Sequence, residues 1–569
     1  MKKIAIVGCG PRGLHSLECL MDSLSRKRTQ QQIEITIYDK EVHLGSGQVW
    51  KEDQPDANWL NIADRALKDL KGRTTIVMNS FEIPAFPSFI QWMEDKYGHK
   101  VDDEVDAFPA RNKMGTYLNH RFKTISTVLI SEGWLLVKHA HVHKVQYVDK
   151  SFLITSDSNE ESKFDECLLT IGHQPTEDDS QIASWKASCE NGSKLLFDNP
   201  YESDISKKID ANDVVGVRGF GLAMIDIMRQ LTVQRGASFK ELPDDWRLKY
   251  CPSDASIKKI IPFSLDGLPV VPKPLGKKVD DFFKPSEMEL KEFESTVSKN
   301  LVDAASLNNI EFLLDAFVPV AVTKFKEHPS FKSKVDKVTL EIVAREWLND
   351  MSYQHEVILD TGMETKNYIS QTIEMSLGKI EVSLDYVIGQ VWRHLQPVMY
   401  DLFSHSNLHD LVMAQVIALD ESTKRYSYGP PVESMIQMLA LIENGVIQIQ
   451  YVKNPNIECK NDYWFISKKE SQEKCTVMIN TVLDPPQLRE IDSPIIKNLL
   501  QDDLLEPVTC DLGIATDKAG TIRLAHENEE IKLTALGRNC KGSVMGVDAI
   551  LECFGSRIKD WSEALTTRL

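Results

Sequence analysis

The first forty residues carry the feature that most constrains the fold of this chain. Residues 3–7 (KIAIV) form a short apolar run, which predicts a buried parallel strand. The run leads directly into Gly8-Cys9-Gly10-Pro11-Arg12-Gly13, and the next residues, LHSLECLMDSL, have the apolar spacing of a helix. A second apolar run, IEITIY at 33–38, ends at Asp39. A strand, G-x-G-x-x-G, a helix, a strand and an acid in this order predict a βαβ dinucleotide-binding unit.

Each part of this motif has a physical role. Gly8 permits a tight turn, Gly10 lets the backbone approach a pyrophosphate, and Gly13 lets the helix pack close to the strand. The N–H groups and the positive dipole end of the helix face the phosphates. Asp39 accepts hydrogen bonds from the ribose hydroxyls of adenosine, which suits FAD or NAD better than a 2′-phosphate. The cofactor contacts predicted here are Gly8, Gly10, Pro11, Arg12, Gly13, Asp39 and Lys40.

A second pair of glycines favours FAD over NAD at this site. Gly45-Ser46-Gly47 follows Asp39 after five residues, as it does in two-dinucleotide flavoproteins, whereas simple NAD dehydrogenases do not usually need it. These glycines let the chain run beside the ribityl and pyrophosphate region, where the segment 58–61 offers an amide side chain. The contacts predicted here are Gly45, Gly47, Gln48, Trp50 and Asn61. A glycine-rich turn without a ligand is the alternative.

Residues 164–175 (FDECLLTIGHQP) are expected to form the last part of the first cofactor-binding unit. They read as an apolar strand followed by a turn at Gly172, which lets the chain pass close to the cofactor. His173 adjoins this turn. We expect it to position the cofactor, with catalysis as the alternative role.

A second glycine motif lies in residues 214–231 (VVGVRGFGLAMIDIMRQL), where Gly219 and Gly221 separate a strand from a helix. Met224 replaces the third glycine, which predicts a looser contact between helix and strand. The strand expected within 260–272 is followed by Ser264-Leu265-Asp266 instead of the arginine that grips a 2′-phosphate in NADP enzymes. Two interpretations stay open: a working NAD(P)H site and a structural Rossmann-like remnant.

Charge and cysteine content narrow the class of protein. Among 569 residues, Lys and Arg number 66 and Asp and Glu number 84, a net charge of −18, which argues against nucleic acid and membrane surfaces as main partners. Ten cysteines without C-x-x-C spacing argue against a disulfide oxidoreductase and a zinc knuckle, and no metal site is predicted. No apolar run is long enough for a signal peptide or a membrane span, so a cytoplasmic chain is expected.

Several motifs together resemble the bacterial FAD-NAD(P)-binding proteins, relatives of the two-dinucleotide flavin monooxygenases and of ornithine or lysine N-hydroxylases. The motifs are GCGPRG (8–13), WLNIADRAL (59–67), FPARNKMGTYL (108–118), TIGHQP (170–175), GFGLAMID (219–226), VWRHLQP (391–397) and YGPPVESMIQMLALIENG (428–445). The resemblance implies that Arg111 lies near the flavin domain and contacts the cofactor, and that the backbone of Val142 meets the adenine. It also implies that Gly537 and the segment 541–546 lie over the isoalloxazine.

These observations predict an α/β fold with two Rossmann-like dinucleotide-binding units and an additional helical domain. The expected ranges are 1–205 for the first part of the FAD-binding domain, 206–275 for an NAD(P)-binding-like insert, 276–454 for a mainly helical domain and 455–569 for the return to the FAD-binding domain. The predicted function is an FAD-dependent oxidoreductase that takes hydride from NAD(P)H and acts on a small molecule or on oxygen. The alternatives are an amino-acid N-hydroxylating flavin monooxygenase and a non-catalytic FAD-binding sensor or scaffold. The substrate and the oligomeric state stay open.

Overall fold

The first glycine motif lies in a five-stranded parallel sheet in the computed structural model, which describes residues 1–27, 33–158, 160–189, 195–202, 205–460, 463–524 and 531–569. In spatial order the strands are β19 (Leu533–Ala535), β9 (Glu166–Leu169), β1 (Lys2–Val7), β2 (Ile33–Tyr38) and β5 (Leu135–Lys138).

Two cores cover the faces of this sheet, which explains the unbroken apolar run of β1. Ile4 and Ile6 face one core and Ala5 and Val7 face the other. The first core is covered by α1 (Pro11–Lys27), α2 (Phe89–Tyr97), α3 (Arg111–Ser131) and α16 (Arg557–Arg568). The second is covered by an antiparallel sheet of β6 (Val142–Val148), β7 (Ser151–Ser156) and β8 (Glu161–Phe164) and by α15 (Pro494–Gln501).

The second glycine motif lies in a separate parallel sheet. Its strands are, in spatial order, β10 (Leu195–Phe197), β18 (Val477–Asn480), β11 (Val214–Arg218) and β14 (Lys259–Phe263). Helix α6 (Leu222–Leu231) and a hairpin of β12 (Ser238–Leu242) and β13 (Asp245–Cys251) connect β11 to β14. An antiparallel sheet of β15 (Asn456–Lys460), β16 (Tyr463–Lys468) and β17 (Ser471–Cys475) leads into β18. The strands of 456–480, expected in the returning FAD-binding part, therefore belong to the second unit's sheets, while the four domain ranges stay predictions.

The helical domain is inserted into the second unit, between β14 and β15. Its helices are α7 (Gly276–Asp280), α8 (Glu287–Leu301), α9 (Glu311–Glu327), α10 (Lys337–Asn349), α11 (Thr365–Ser376), α12 (Leu384–Phe403), α13 (Asp410–Ser427) and α14 (Val432–Glu443). Helix α12 lies at its centre and contacts α8, α9, α10 and α13, while α14 packs against the second unit.

Short elements complete the described chain: β3 (Ile76–Val77), β4 (Glu82–Ile83), α4 (Ser180–Cys189) and α5 (Ile205–Lys208). The predicted fold class, α/β with two Rossmann-like units and an additional helical domain, is confirmed. All ten cysteines are free thiols. In the part of the chain that the structure describes, no helix is both long and apolar enough to cross a membrane.

Candidate functional site

Both glycine motifs open into one cleft of about 2070 Å³ between the two parallel sheets and the helical domain. The carboxyl ends of β1, β2 and β9 face it, which is the edge where open α/β sheets bind ligands. The predicted site residues that line it are Gly8, Gly10, Pro11, Arg12, Asp39, Lys40, Gly47, Gln48, Trp50, Asn61, Arg111, Val142, Gly172, His173 and Gly221. The other four, Gly13, Gly45, Gly219 and Gly537, pack closely against neighbouring segments that support the cleft.

The first glycine motif has the close packing that its sequence predicts. Gly8 has a φ of +92°, and a Cβ there would lie 2.5 Å from the carbonyl oxygen of Thr170. A Cβ on Gly13 would lie 2.5 Å from the carbonyl oxygen of Gly8, so the helix rests directly on the turn. A larger residue at either position would push backbone segments apart.

The beginning of α1 forms a cradle without bulky side chains. A Cβ on Gly10 would lie 3.4 Å from the Cα of Gly47, so two bare backbone segments face each other across this end of the cleft. The first turn of α1 is uncharged except for the cationic Arg12, and its positive dipole end is open to the cleft. These features fit the pyrophosphate of a dinucleotide such as FAD.

Asp39 is held at the cleft wall by two backbone N–H groups. Cys9 donates to one carboxylate oxygen at 2.6 Å, and Glu41 donates to the other at 2.9 Å. Burial raises the pKa of Asp39, and the two N–H groups oppose that rise. Each oxygen keeps a lone pair for a further donor, so the carboxylate can accept ribose hydroxyls.

Arg111 joins the two dinucleotide-type units. Its Nη2 lies 2.8 Å from the carboxylate of Asp226 in α6, and its Nη1 donates to the hydroxyl of Tyr201 at 3.0 Å. Burial lowers the pKa of Arg111, but the neighbouring Asp226 outweighs this and raises it overall. Arg111 therefore lines the cleft with its charge engaged by the second unit, and its predicted contact with the cofactor stays a prediction. Sequence reasoning missed this partner, although Asp226 lies in the motif GFGLAMID.

His173 lies in a cationic neighbourhood of the cleft. Burial lowers its pKa to about 4, and Arg538 and Arg12 add to the effect. The ring is therefore neutral near pH 7. In that form it can both donate and accept a hydrogen bond, which suits the predicted positioning role.

The late glycine loop lies over the beginning of α1. A Cβ on Gly537 would lie 2.8 Å from the Cδ of Arg12, whose Nη2 donates to the carbonyl oxygen of Val547 at 2.7 Å. Within the predicted segment 541–546, Gly546 packs against Tyr400 of α12. The stretch from 547 to 557 lines the cleft instead, which was not predicted from the sequence.

The second motif repeats the backbone geometry of the first with different side chains. The N–H of Gly219 donates to the carbonyl oxygen of Phe263 at 2.8 Å, as that of Gly8 donates to Tyr38 at 2.8 Å. Ser264 therefore lies beside the second motif where Asp39 lies beside the first. Lys453, which forms a parallel bridge with Ser264, also lines the cleft and was missed because it follows the helical domain.

The chain is similar to several known proteins. Residues 5–174 match the family described as FAD-NAD(P)-binding. A nitrosuccinic acid synthase of Aspergillus oryzae is 24% identical over 89% of this chain and 82% of its own. An L-aspartate N-monooxygenase (nitrosuccinate-forming) of Streptomyces cremeus is 24% identical over 44% of this chain and 40% of its own. The solved L-lysine 6-monooxygenase from Pseudomonas syringae covers 100% of both chains at 12% identity, with a TM-score of 0.46.

These findings confirm FAD, together with an NAD(P) ligand, as the predicted cofactors, and an FAD-dependent oxidoreductase as the predicted class. The resemblance that the motifs predict is confirmed as well. The match to the FAD-NAD(P)-binding family covers residues 5–174, which contain the first glycine motif.

Proposed function

We propose that this protein is an NAD(P)H-dependent flavin monooxygenase that oxidises the amino group of a small acidic amino acid, with L-aspartate as the first candidate. One observation carries the proposal: the first turns of α1 and α6 open into the same cleft, so two dinucleotides and a small substrate can meet there. The relative in Streptomyces cremeus, named as a nitrosuccinate-forming L-aspartate N-monooxygenase, supports aspartate as the substrate, and the relative in Aspergillus oryzae is likewise named for nitrosuccinic acid.

The proposed roles of the site residues follow from their places in the cleft. The pyrophosphate of FAD would lie at the beginning of α1, near Gly10 and Gly47, with its ribose hydroxyls at Asp39. The pyridine nucleotide would use the beginning of α6, where a Cβ on Gly221 would have no atom of the described residues within 4 Å. The first turn of α6, at 222–225, is apolar and leaves its dipole end open.

The overall reaction balances with the ligands named. One atom of O₂ enters an N–H bond of the substrate to give N–OH, and the other leaves as water with two electrons and two protons from NAD(P)H and H⁺. Bound FAD would supply the hydride acceptor and the oxygen chemistry. The chain itself would orient the ligands and exclude water, because the helical domain and the stretch from 547 to 557 form two walls of the cleft.

The proposal is tested by aerobic turnover of the FAD-loaded protein with L-aspartate, NAD(P)H and ¹⁸O₂. We expect NAD(P)H consumption that rises with L-aspartate and a product in which oxygen on nitrogen carries the label. L-Asparagine, of almost the same shape with a neutral side chain, is the matched control and should be a poor substrate. Equal NAD(P)H consumption with and without every amino acid tried, and no labelled product, would contradict the proposal.

A further inference from the structure

A cationic recess of the cleft lies where the FAD-binding unit meets the second unit and the helical domain. It is lined by Asn61, Arg65, Asp106, Lys273, Asp280 and Arg393. Lys273 follows β14 in the chain, and Arg393 belongs to α12. All of these residues face the same cleft as the two glycine motifs.

The two carboxylates of the recess are already engaged by arginines. Arg65 lies 2.6 Å from Asp106 and 3.0 Å from Asp280. Asp280 also pairs with Arg393 and lies 3.2 Å from Nε2 of His394. Burial lowers the pKa of His394, so that ring adds no charge near pH 7.

Lys273 is the third cation of the recess. Among the described residues its ammonium makes one hydrogen bond, to the carbonyl oxygen of Asn61 at 2.6 Å. An ammonium group has three donors, so two remain for a ligand in the cleft. Arg65, Arg393 and Lys273 against Asp106 and Asp280 leave one positive charge in excess.

An ammonium in such a place is costly unless an anion joins it. Burial lowers the pKa of Lys273 to about 7, and Arg393 adds to the effect, while Asp280 and Asp106 oppose it. A carboxylate bound beside Lys273 would neutralise the excess positive charge and accept hydrogen bonds from the two remaining N–H groups.

We propose that Lys273, with Arg393 beside it, binds a carboxylate of the substrate and thereby selects small acidic molecules. This inference rests on the proposed function for the identity of the substrate. The binding site itself does not depend on the oxidation step. Lys273 would act as a positioning and specificity-determining residue, because it fixes the carboxylate while the amino group reacts elsewhere in the cleft.

The test uses the FAD-loaded protein and succinate, a dicarboxylate that has no amino group to oxidise. Calorimetric titration should show binding to the wild type. We expect Lys273→Met to weaken it about tenfold or more, because a charge-assisted hydrogen bond is lost. Lys278→Met removes an exposed lysine of the same segment and should leave succinate binding unchanged.

Thermal unfolding separates binding from a merely structural role. A partly buried ammonium without a counter-ion destabilises the fold, so Lys273→Met should unfold at the same temperature as the wild type or higher. A lysine kept for structure would give a lower temperature. Lys273→Arg keeps the charge, and its succinate affinity should stay within about threefold of the wild type.

The outcomes separate the two proposals. Succinate affinity equal in the wild type and in Lys273→Met, or no succinate binding to the wild type, would overturn the carboxylate site. Loss of succinate binding in Lys273→Met from a protein that does not oxidise aspartate would uphold the site and contradict the proposed reaction. Aspartate oxidation with an unchanged KM in Lys273→Met would uphold the reaction and overturn the site.

Discussion

The two glycine-motif units share one backbone plan but differ in how tightly they are built. In each, a helix follows the glycine strand, and a three-stranded antiparallel sheet leads into a strand that returns beside it. The hydrogen bond from the end of the returning strand to the glycine strand is alike in both units. The N–H of Thr170 donates to the carbonyl oxygen of Val7 at 2.9 Å, and that of Thr481 donates to the carbonyl oxygen of Arg218 at 2.8 Å. The units therefore form a structural repeat, and they differ in the side chains and packing around the glycine turn.

The first turn of the helix shows the clearest difference in packing. In the first unit, Leu14 donates to the carbonyl oxygen of Gly10 at 2.9 Å, whereas in the second Ile225 donates to Gly221 at 3.4 Å. Met224 fills the core at the position that corresponds to Gly13. The beginning of the helix is therefore packed more tightly in the first unit than in the second.

The largest expected effect comes from adding one carbon to the tight unit. Gly13→Ala places a Cβ 2.5 Å from the carbonyl oxygen of Gly8, so we expect a loss of roughly 1–3 kcal/mol of unfolding free energy, as overpacking usually costs. FAD should be lost as well, as measured by the absorption of the purified protein.

Gly221→Ala is the matched control in the second unit, where a Cβ would meet open space. Its unfolding temperature and FAD content should stay near those of the wild type. Equal losses from both variants would show that the two turns do not differ in packing.

Exchanging Ser264, the residue that corresponds to Asp39, should sharpen the comparison next. Ser264→Asp gives the second unit the acid of the first, which accepts a ribose 2′-hydroxyl and repels a 2′-phosphate. We expect the ratio of flavin reduction rates, NADPH over NADH, to fall about tenfold, as a charge change beside a phosphate typically does. Ser238→Asp adds the same charge at an exposed position of β12 and should leave the ratio unchanged. An equal fall in that variant would show that Ser264 does not determine the preference between NADPH and NADH.

The junction between the units should show a smaller effect. Tyr201 donates to Asp226 at 3.1 Å and accepts from Arg111, so Tyr201→Phe should lower the unfolding free energy by about 1 kcal/mol, as the loss of one hydrogen bond does. Tyr97→Phe, at an exposed tyrosine, is the control for thermal unfolding. An unchanged unfolding temperature for Tyr201→Phe would mean that this junction does not stabilise the assembly of the units.

The smallest effect is a pH dependence of binding. The pKa of Lys273 is lowered to about 7, so its charge is present below that pH and lost as the pH rises through it. We expect succinate affinity to fall above about pH 7, while the free energy of unfolding rises with pH up to the ordinary lysine range. Because this dependence is assigned to the Lys273 ammonium, Lys273→Met should remove it. Its persistence in that variant would assign it to another group.

Much of the first unit could be predicted because its signals are local. The apolar run at 3–7 and the run at 33–38 correspond to β1 and β2, since a buried strand followed by a glycine turn is written in consecutive residues. The second motif, at 214–231, was found in the same way.

Pairings between distant segments could not be predicted. The largely apolar run at 477–480 would suit a buried strand of either parallel sheet. Nothing in it shows that β18 pairs with β11 rather than with a strand of the first unit. The partner of Arg111 and the recess around Lys273 also depend on segments that are far apart in the sequence. Local patterns therefore predict the units, and the insertion of the helical domain into the second unit comes only from the structure.

The most direct test of the two-unit account is anaerobic mixing of the FAD-loaded protein with NADPH and, separately, with NADH. If both units serve the one cleft, the visible absorption of oxidised flavin should bleach with at least one nucleotide, and Gly221→Ala should slow the bleaching while FAD content is unchanged. A protein that retains FAD but is bleached by neither nucleotide would contradict the account and favour a non-catalytic FAD-binding sensor.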